Sequence, residues 1–183
     1  MDIGLDWILT DKHFIDKLSK QIGNKFAAHW KLQEADLTEE FLEWLDSKNL
    51  AVRYAELFYC SPKGNIFVHS DEIEPAHGCK INWVYDQGET YMRWFKLKEG
   101  AKIEKHSNTI DGFYYTAQPE DYEFAIQARI GKPTLVNAYE LHDVINPSDG
   151  PRWAVSIVPY FKDKPKTRLL WNEAIELFSD YFI

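Results

Sequence analysis

Cysteine is scarce in this chain: Cys60 and Cys79 are the only two among 183 residues. Because they form no CxxC motif, the sequence predicts neither a disulfide framework nor a zinc ribbon. No glycine-rich fingerprint links a predicted strand to a helix, which argues against a Rossmann or P-loop nucleotide site. No apolar run approaches the roughly 18 residues of a membrane span, and the N-terminus lacks a basic segment followed by an apolar one. We therefore expect a cytoplasmic protein without a membrane partner.

Basic residues are in the minority, with 21 Lys and Arg against 29 Asp and Glu, a formal net charge of -8 and a sequence pI of about 5.2. Tight binding to nucleic acid needs a basic face, so we expect a protein, peptide or small-molecule partner instead. Hydrophobic residues make up 45% of the chain and aromatic residues 15%, which is enough for a sizeable core. The length suits a single domain over residues 1–183.

The first fifty residues have a helical pattern. Phe14, Leu18 and Ile22 recur at helical spacing. Glu39 follows Asp36 by three positions, which is the spacing of a capping Asp at the start of a helix. We expect these helices to cover a sheet, and they could also build a homodimer interface. Residues 162–183 predict a C-terminal amphipathic helix.

Residues 51–161 change to a strand pattern, in which short aromatic and β-branched runs are separated by turn signals. The predicted strands lie at 51–60, 65–71, 80–85, 91–97, 113–117, 122–129, 134–139, 141–145 and 152–160. So many short strands indicate an antiparallel sandwich or barrel. The expected fold class is therefore mainly β with flanking helices, an α+β chain.

The sequence His69-Ser70-Asp71 ends one of these predicted strands. Residues two apart in a strand share a face, so the imidazole of His69 and the carboxylate of Asp71 can bind one cation. Such a pair also arises by chance at the end of a surface strand. Far downstream, His142 and Arg152 flank the turn-rich segment 146–151, which predicts a β-hairpin. A turn centred on Pro147 would place these two side chains opposite each other, about 5 Å apart at the backbone.

Two histidines and one carboxylate are the ligands of the facial iron(II) site, which keeps three positions open. Two of these positions can take the keto oxygen and carboxylate of 2-oxoglutarate, and the third can take O₂. Arg152 would bind the far carboxylate of that cosubstrate through its planar, permanently charged fork. The alternative roles are a surface salt bridge for Arg152 and a structural histidine for His142.

At these residues the chain resembles the Fe(II)/2-oxoglutarate-dependent oxygenase superfamily, in particular its small prolyl-hydroxylase-like branch of phage and bacterial members. The similarity extends over residues 55–161. It implies a double-stranded β-helix, or jelly roll, with iron held by His69, Asp71 and His142 and 2-oxoglutarate held by Arg152. The implied reaction converts 2-oxoglutarate and O₂ to succinate and CO₂ while a second substrate is oxidised, as a rule by hydroxylation.

The chain departs from the family pattern at Ala154, where several members carry a serine or threonine that helps to hold the cosubstrate. The strand 80–85 should supply the missing group, from Asn82 or from Tyr85. These two residues have opposite parity, so without a bulge only one of them points inward. We favour Asn82, because a polar residue between Ile81 and Trp83 needs a buried partner.

Other features leave the function open. Residues 100–111 form a polar segment that predicts either a mobile lid or a long surface loop. Four aromatic residues could form a substrate wall or simply belong to the core: Trp83, Trp94, Tyr114 and Tyr115. Two other functions stay open as alternatives. One is a cupin-like metalloenzyme that does not use 2-oxoglutarate, and the other is a non-catalytic jelly-roll module for binding or structure.

Overall fold

The computed structural model describes residues 7–11, 13–71, 78–86, 88–107, 113–130, 133–164 and 167–181. The α-helices in this part of the chain are α1 (Phe14–Ile22), α2 (Glu39–Asp46) and α3 (Trp171–Leu177). The strands are β1 (Ala27–Leu32), β2 (Leu50–Cys60), β3 (Asn65–His69), β4 (Cys79–Asp86), β5 (Tyr91–Leu97), β6 (Ile103–Ser107), β7 (Phe113–Ala117), β8 (Tyr122–Arg129), β9 (Thr134–Asn137), β10 (Leu141–Ile145) and β11 (Arg152–Phe161). None of the helices within these ranges has the length and apolar character that crossing a membrane requires.

The strands form two antiparallel sheets and a separate hairpin. The large sheet has the order β1-β2-β11-β4-β9, the small sheet has the order β3-β10-β5-β8, and β6 pairs with β7. Successive strands alternate between the sheets, since β2, β4, β9 and β11 belong to the large sheet and β3, β5 and β10 to the small one. This arrangement is a double-stranded β-helix, or jelly roll, and it confirms the predicted fold class.

The three helices cover the outer face of the large sheet. Phe41 and Leu45 lie one turn apart on α2 and are both fully buried against that face. The sheet contributes alternate residues such as Trp83 and Val155, and the Trp83 ring meets the Phe41 ring edge-on at 5.2 Å between centroids. Burial of each large apolar side chain contributes about 1.5–3 kcal/mol, so this layer holds the helices in place. Trp83 is therefore a core residue and not part of a substrate wall.

The other residues of the large sheet face the small sheet across the interior of the jelly roll. A second, smaller apolar cluster fills part of this interior, and its buried members are Met92, Ile130, Val136 and Val144. The buried polar residues of the large sheet lie on the same inner face, because they alternate with residues of the helix-covered core. The interior is thus apolar in one part and polar in another.

The helical prediction for the first fifty residues is wrong over Ala27–Leu32. This segment is β1, and it pairs with β2 from Ala27 opposite Cys60 to Leu32 opposite Ala55. Trp30 and Leu32 stand two apart and both pack on the helix-covered core, so the segment follows strand periodicity. Pairing with the open edge of β2 outweighs the helical preference of its neighbours.

Two smaller expectations also need correction. The N-cap of α2 is Thr38, whose Oγ1 accepts from the backbone N–H of Phe41 at 3.2 Å, whereas the Asp36 carboxylate accepts from Gln33 N. In the predicted lid, residues Ile103–Ser107 form β6 and pair with β7. Residues 100–102 precede β6, where Ala101 N donates to Lys98 O at 3.1 Å, and residues 108–111 lie outside the described part of the chain.

The predicted hairpin of His142 and Arg152 is wrong. β10 pairs with β3 and β5 in the small sheet, whereas β11 pairs with β2 and β4 in the large one. The connection 146–151 is a crossover between sheets. It is held by the buried Asn146, whose Nδ2 donates to Ser61 O and Gly150 O at 2.9 Å each. A crossover and a hairpin use the same turn residues, so composition could not distinguish them.

Candidate metal centre

His69 and His142 are directly paired across β3 and β10, and their ring centroids lie 4.6 Å apart. The register between β10 and β3 shifts after this pair, because Val144 is the partner of Ile66. Ile66 packs into the interior cluster, and His69 three residues later would point outward in a regular strand. The irregularity in β3 therefore turns His69 to the interior, beside His142.

Asp71 completes the group, because ligand atoms of His69, Asp71 and His142 all lie within 4.8 Å of one another. Within this group, Asp71 Oδ1 lies 3.7 Å from His69 Nε2. Two nitrogen donors and one oxygen donor at this separation can bind a single divalent metal ion such as iron(II).

Each histidine has its Nδ1 engaged by its own backbone. His69 Nδ1 lies 2.8 Å from Phe67 O, and His142 Nδ1 lies 2.9 Å from Glu140 O. A carbonyl accepts only from a protonated nitrogen, so both rings carry the proton on Nδ1 and direct the Nε2 lone pair to the centre of the group. This is the tautomer that a metal ligand needs.

The backbone around Asp71 is fixed although β3 has already ended. Ser70 and Tyr115 exchange two backbone hydrogen bonds of 2.8 Å each, which tie this segment to β7. The Ser70 hydroxyl donates to Tyr139 O at 2.6 Å, and the Asp71 N–H donates to Ala138 O at 3.0 Å. The backbone that carries the Asp71 carboxylate is therefore held from both sides before any metal binds.

Both titratable ligands with shifted pKa values are in their metal-binding forms at neutral pH. Burial, with a further contribution from His69, lowers the pKa of His142 to about 4, so its imidazole is neutral. Burial alone would raise the pKa of Asp71, but the Lys80 ammonium and the two histidines outweigh it and hold that pKa well below its usual range. A metal would thus displace no proton from either group.

Lys80 and Glu56 extend the site, and sequence reasoning missed both. Lys80 Nζ lies 2.9 Å from Asp71 Oδ2 and 3.8 Å from Glu56 Oε2. Burial raises the pKa of Glu56, whereas for Lys80 the two carboxylates outweigh burial and raise the pKa of the ammonium. The sequence held a signal for each residue. Lys80 shares a strand face with Asn82, and Glu56 is a charged residue that interrupts an apolar run of β2.

A polar row crosses the inner face of the large sheet. Ser156 on β11 pairs with Glu56 on β2 and with Asn82 on β4, and all three are buried. Ser156 Oγ and Asn82 Oδ1 have no hydrogen-bond partner among the residues that the structure describes. Tyr85 has the opposite parity to Asn82, and it is 51% exposed. Of the two predicted cosubstrate residues, Asn82 thus faces the interior and Tyr85 does not.

Arg152 is buried at the start of β11, at 2% exposure. It shares the inner face with Ser156, since Trp153 and Val155 between them belong to the helix-covered core. Ser156 lies four positions after Arg152 on the strand, which is about 13 Å of backbone. Arg152 therefore lies towards the end of the jelly roll that carries the 146–151 crossover, displaced along β11 from the polar row.

Aromatic rings surround the outer side of the ligand group. The Tyr114 ring on β7 lies 5.4 Å from the Phe67 ring and 6.4 Å from the His69 ring, and it stacks on His106 at 5.1 Å. Phe67 is 54% exposed. Of the four aromatic residues predicted for a substrate wall, Tyr114 lies beside the ligands, while Trp94 packs on the interior cluster.

No protein-family model matches the chain, and no curated protein matches it. Among solved structures, an oxalate oxidase bound to the substrate analogue glycolate is 13% identical at a TM-score of 0.37, and the alignment covers 77% of this chain and 57% of that one. Vicilin from hazelnut, Corylus avellana, is 14% identical at 0.41, over 77% of this chain and 30% of that one. A conserved double-stranded β-helix protein from Klebsiella pneumoniae is 12% identical at 0.35, over 74% and 77%. The chain spans 57% or less of the length of the oxalate oxidase and of the vicilin. At these identities and TM-scores the likeness carries no functional information.

Proposed function

We propose that this chain is an iron(II)- and 2-oxoglutarate-dependent oxygenase that hydroxylates a second substrate. The observation that carries the proposal is the ligand group itself. His69, Asp71 and His142 present their donor atoms within 4.8 Å of one another, and both imidazoles offer Nε2 because their Nδ1 atoms are engaged by backbone carbonyls. Two histidines and one carboxylate suit iron(II) and leave three coordination positions for other ligands.

The interior of the jelly roll supports a dicarboxylate cosubstrate. Ser156 and Asn82 place a buried hydroxyl and a buried amide on the inner face of the large sheet. Their atoms Ser156 Oγ and Asn82 Oδ1 have no hydrogen-bond partner among the described residues. Such groups are costly to bury unless a ligand pairs with them. The buried Arg152 lies four positions before Ser156 on the same face of β11, and a bidentate bond from its guanidinium to a carboxylate would be charge-assisted.

When bound, the metal supplies the activation of O₂. The residues of this chain perform the remaining tasks. The three ligands hold the metal, and Asn82, Ser156 and Arg152 orient the cosubstrate. The apolar cluster that includes Met92 and Val144 excludes water from the inner side of the site. The second substrate would approach from the aromatic side, and the acidic net charge of -8 favours a protein, peptide or small molecule over nucleic acid.

The test is an anaerobic titration of the whole chain with iron(II) and then with 2-oxoglutarate, followed by its visible charge-transfer absorption. We expect a band that depends on both additions and is much weaker in Arg152→Ala. Arg129→Ala is the matched control, since that arginine is exposed on β8 and far from the inner face, and it should keep the full band. Folded protein with excess iron(II) and no band would overturn the proposal.

A second candidate is a cupin-like metalloenzyme that does not use 2-oxoglutarate. The observation in its favour is that Arg152 does not lie opposite His142, because β10 and β11 belong to different sheets. Arg152 would then hold the substrate itself. In the same titration this candidate predicts that iron(II) binds and that 2-oxoglutarate does not.

A further inference from the structure

The two oxygens of the Asp71 carboxylate face different partners. Oδ1 is directed to His69, at 3.7 Å from Nε2. Oδ2 accepts a hydrogen bond from Lys80 Nζ at 2.9 Å. One oxygen is thus available to the ligand group, and the other is occupied by an ammonium.

Lys80 is held in this position from several sides. Its strand, β4, is hydrogen-bonded to β11 on one edge and to β9 on the other, so the backbone cannot shift freely. The Glu56 carboxylate lies 3.8 Å from the ammonium, and the Phe58 ring lies below it at 5.9 Å. The Lys80 side chain is only 15% exposed, so little water competes for its hydrogen bonds.

A carboxylate can bind a metal through one oxygen or through both. Two histidines with a one-oxygen carboxylate leave three positions open in a six-coordinate site. If both oxygens of Asp71 ligated, only two positions would remain. The occupancy of Oδ2 therefore decides how many positions the site can offer to ligands.

We propose that Lys80 is a positioning residue, which restricts Asp71 to ligation through Oδ1 and so keeps three coordination positions open. This role rests on the proposed metal site and adds a residue to it. Lys80 touches neither the metal nor a substrate in this role. It acts through the hydrogen bond to Oδ2, and Glu56 keeps the ammonium beside that oxygen.

The test counts water molecules on manganese(II) bound to the chain, by water-proton relaxation at saturating protein. Three open positions hold three waters in the natural chain, and we expect the relaxivity per bound metal to fall to about two thirds in Lys80→Met, as one position is lost. Lys80→Gln keeps a hydrogen-bond donor without the charge and should retain most of the relaxivity. Lys48→Met is the matched control, because Lys48 lies just after α2 with its ammonium 5.1 Å from the centre of the Tyr181 ring, on the helix-covered side of the large sheet.

Each outcome decides between the role of Lys80 and the site itself. Equal relaxivity in the natural chain and in Lys80→Met overturns the role of Lys80 and leaves the metal site intact. Absence of manganese(II) binding in the natural chain overturns both. If Lys80→Met does not fold, the double variant Lys80→Met with Glu56→Gln removes the acid that has lost its counter-ion. The same fall in relaxivity is expected there, and an unchanged value again overturns the role.

Discussion

His142 should make the metal-free protein lose stability as the pH falls from neutral. Its pKa is lowered from 6.5 to about 4, first by burial and then by the neighbouring His69. Between these two values the unfolded chain binds a proton at this position and the folded chain does not. The free energy of unfolding therefore rises with pH across this window, and it is lost as the pH falls from 6.5 to about 4.

The magnitude follows from the width of the window. Each pH unit is worth about 1.4 kcal/mol, so the whole window corresponds to about 3 kcal/mol. Between pH 7 and pH 5, most of the change already occurs, about 2 kcal/mol. Asp71 does not contribute to this change in stability, because its pKa lies below pH 5 both in the folded chain, where it is lowered, and in the unfolded chain, where it is 3.8.

The assay is urea unfolding at pH 7 and pH 5 in the presence of a chelator, for the natural chain and for His142→Gln. The difference between the two proteins isolates His142, since His29, whose pKa is also lowered by burial, contributes equally to both. We expect the natural chain to lose about 2 kcal/mol more than the variant over this range. Equal losses in the two proteins would refute the assignment of a buried, neutral imidazole.

Three further outcomes are expected. Phe41→Ala should lower the free energy of unfolding by about 3–5 kcal/mol in a urea titration, because the ring is fully buried; Phe26→Ala, at 77% exposure, should change it by less than about 0.5 kcal/mol. Asn82→Ala should weaken 2-oxoglutarate binding by calorimetry several-fold, whereas Tyr85→Ala should not, since Tyr85 faces away from the interior; equal losses would contradict the strand parity. Manganese(II) at 100 times its Kd should raise the free energy of unfolding by about 2.7 kcal/mol, and this gain should vanish in Asp71→Ala.

Strand periodicity and turn signals were enough to predict many short antiparallel strands in a sandwich or barrel, and the family resemblance implied the jelly roll. The preference for Asn82 on the inner face rested on its polar side chain between Ile81 and Trp83, and strand parity then puts Tyr85 on the opposite face. The same rule shows that Lys80 shares the face of Asn82. Strand parity gives the face on which Lys80 lies but not its neighbours on another sheet, so its contact with Asp71 could not be predicted from the pattern. The 2.9 Å contact with Asp71 joins β4 of one sheet to the end of β3 in the other.

Two features could not be derived from the sequence for physical reasons. The irregularity that turns His69 inward depends on the pairing of β3 with β10, which local preferences do not encode. The second feature is the direction of the chain after Ile145, which depends on the segment that packs against the 146–151 connection. Lys63 N donates to Ser148 O and Asn146 N donates to Gly64 O, so the 146–151 connection packs on the 61–64 connection. These long-range bonds decide that β11 joins the other sheet.

The proposed function requires that His69, Asp71 and His142 hold an iron that couples O₂ to 2-oxoglutarate. The most direct measurement is succinate formed in air from 2-oxoglutarate by the iron(II)-loaded chain without a second substrate, compared with Asp71→Ala. We expect slow succinate formation that requires iron(II) and disappears in the variant, while circular dichroism shows that the variant keeps its sheets. Succinate formation at equal rates in both proteins, or none in the natural chain, would contradict it.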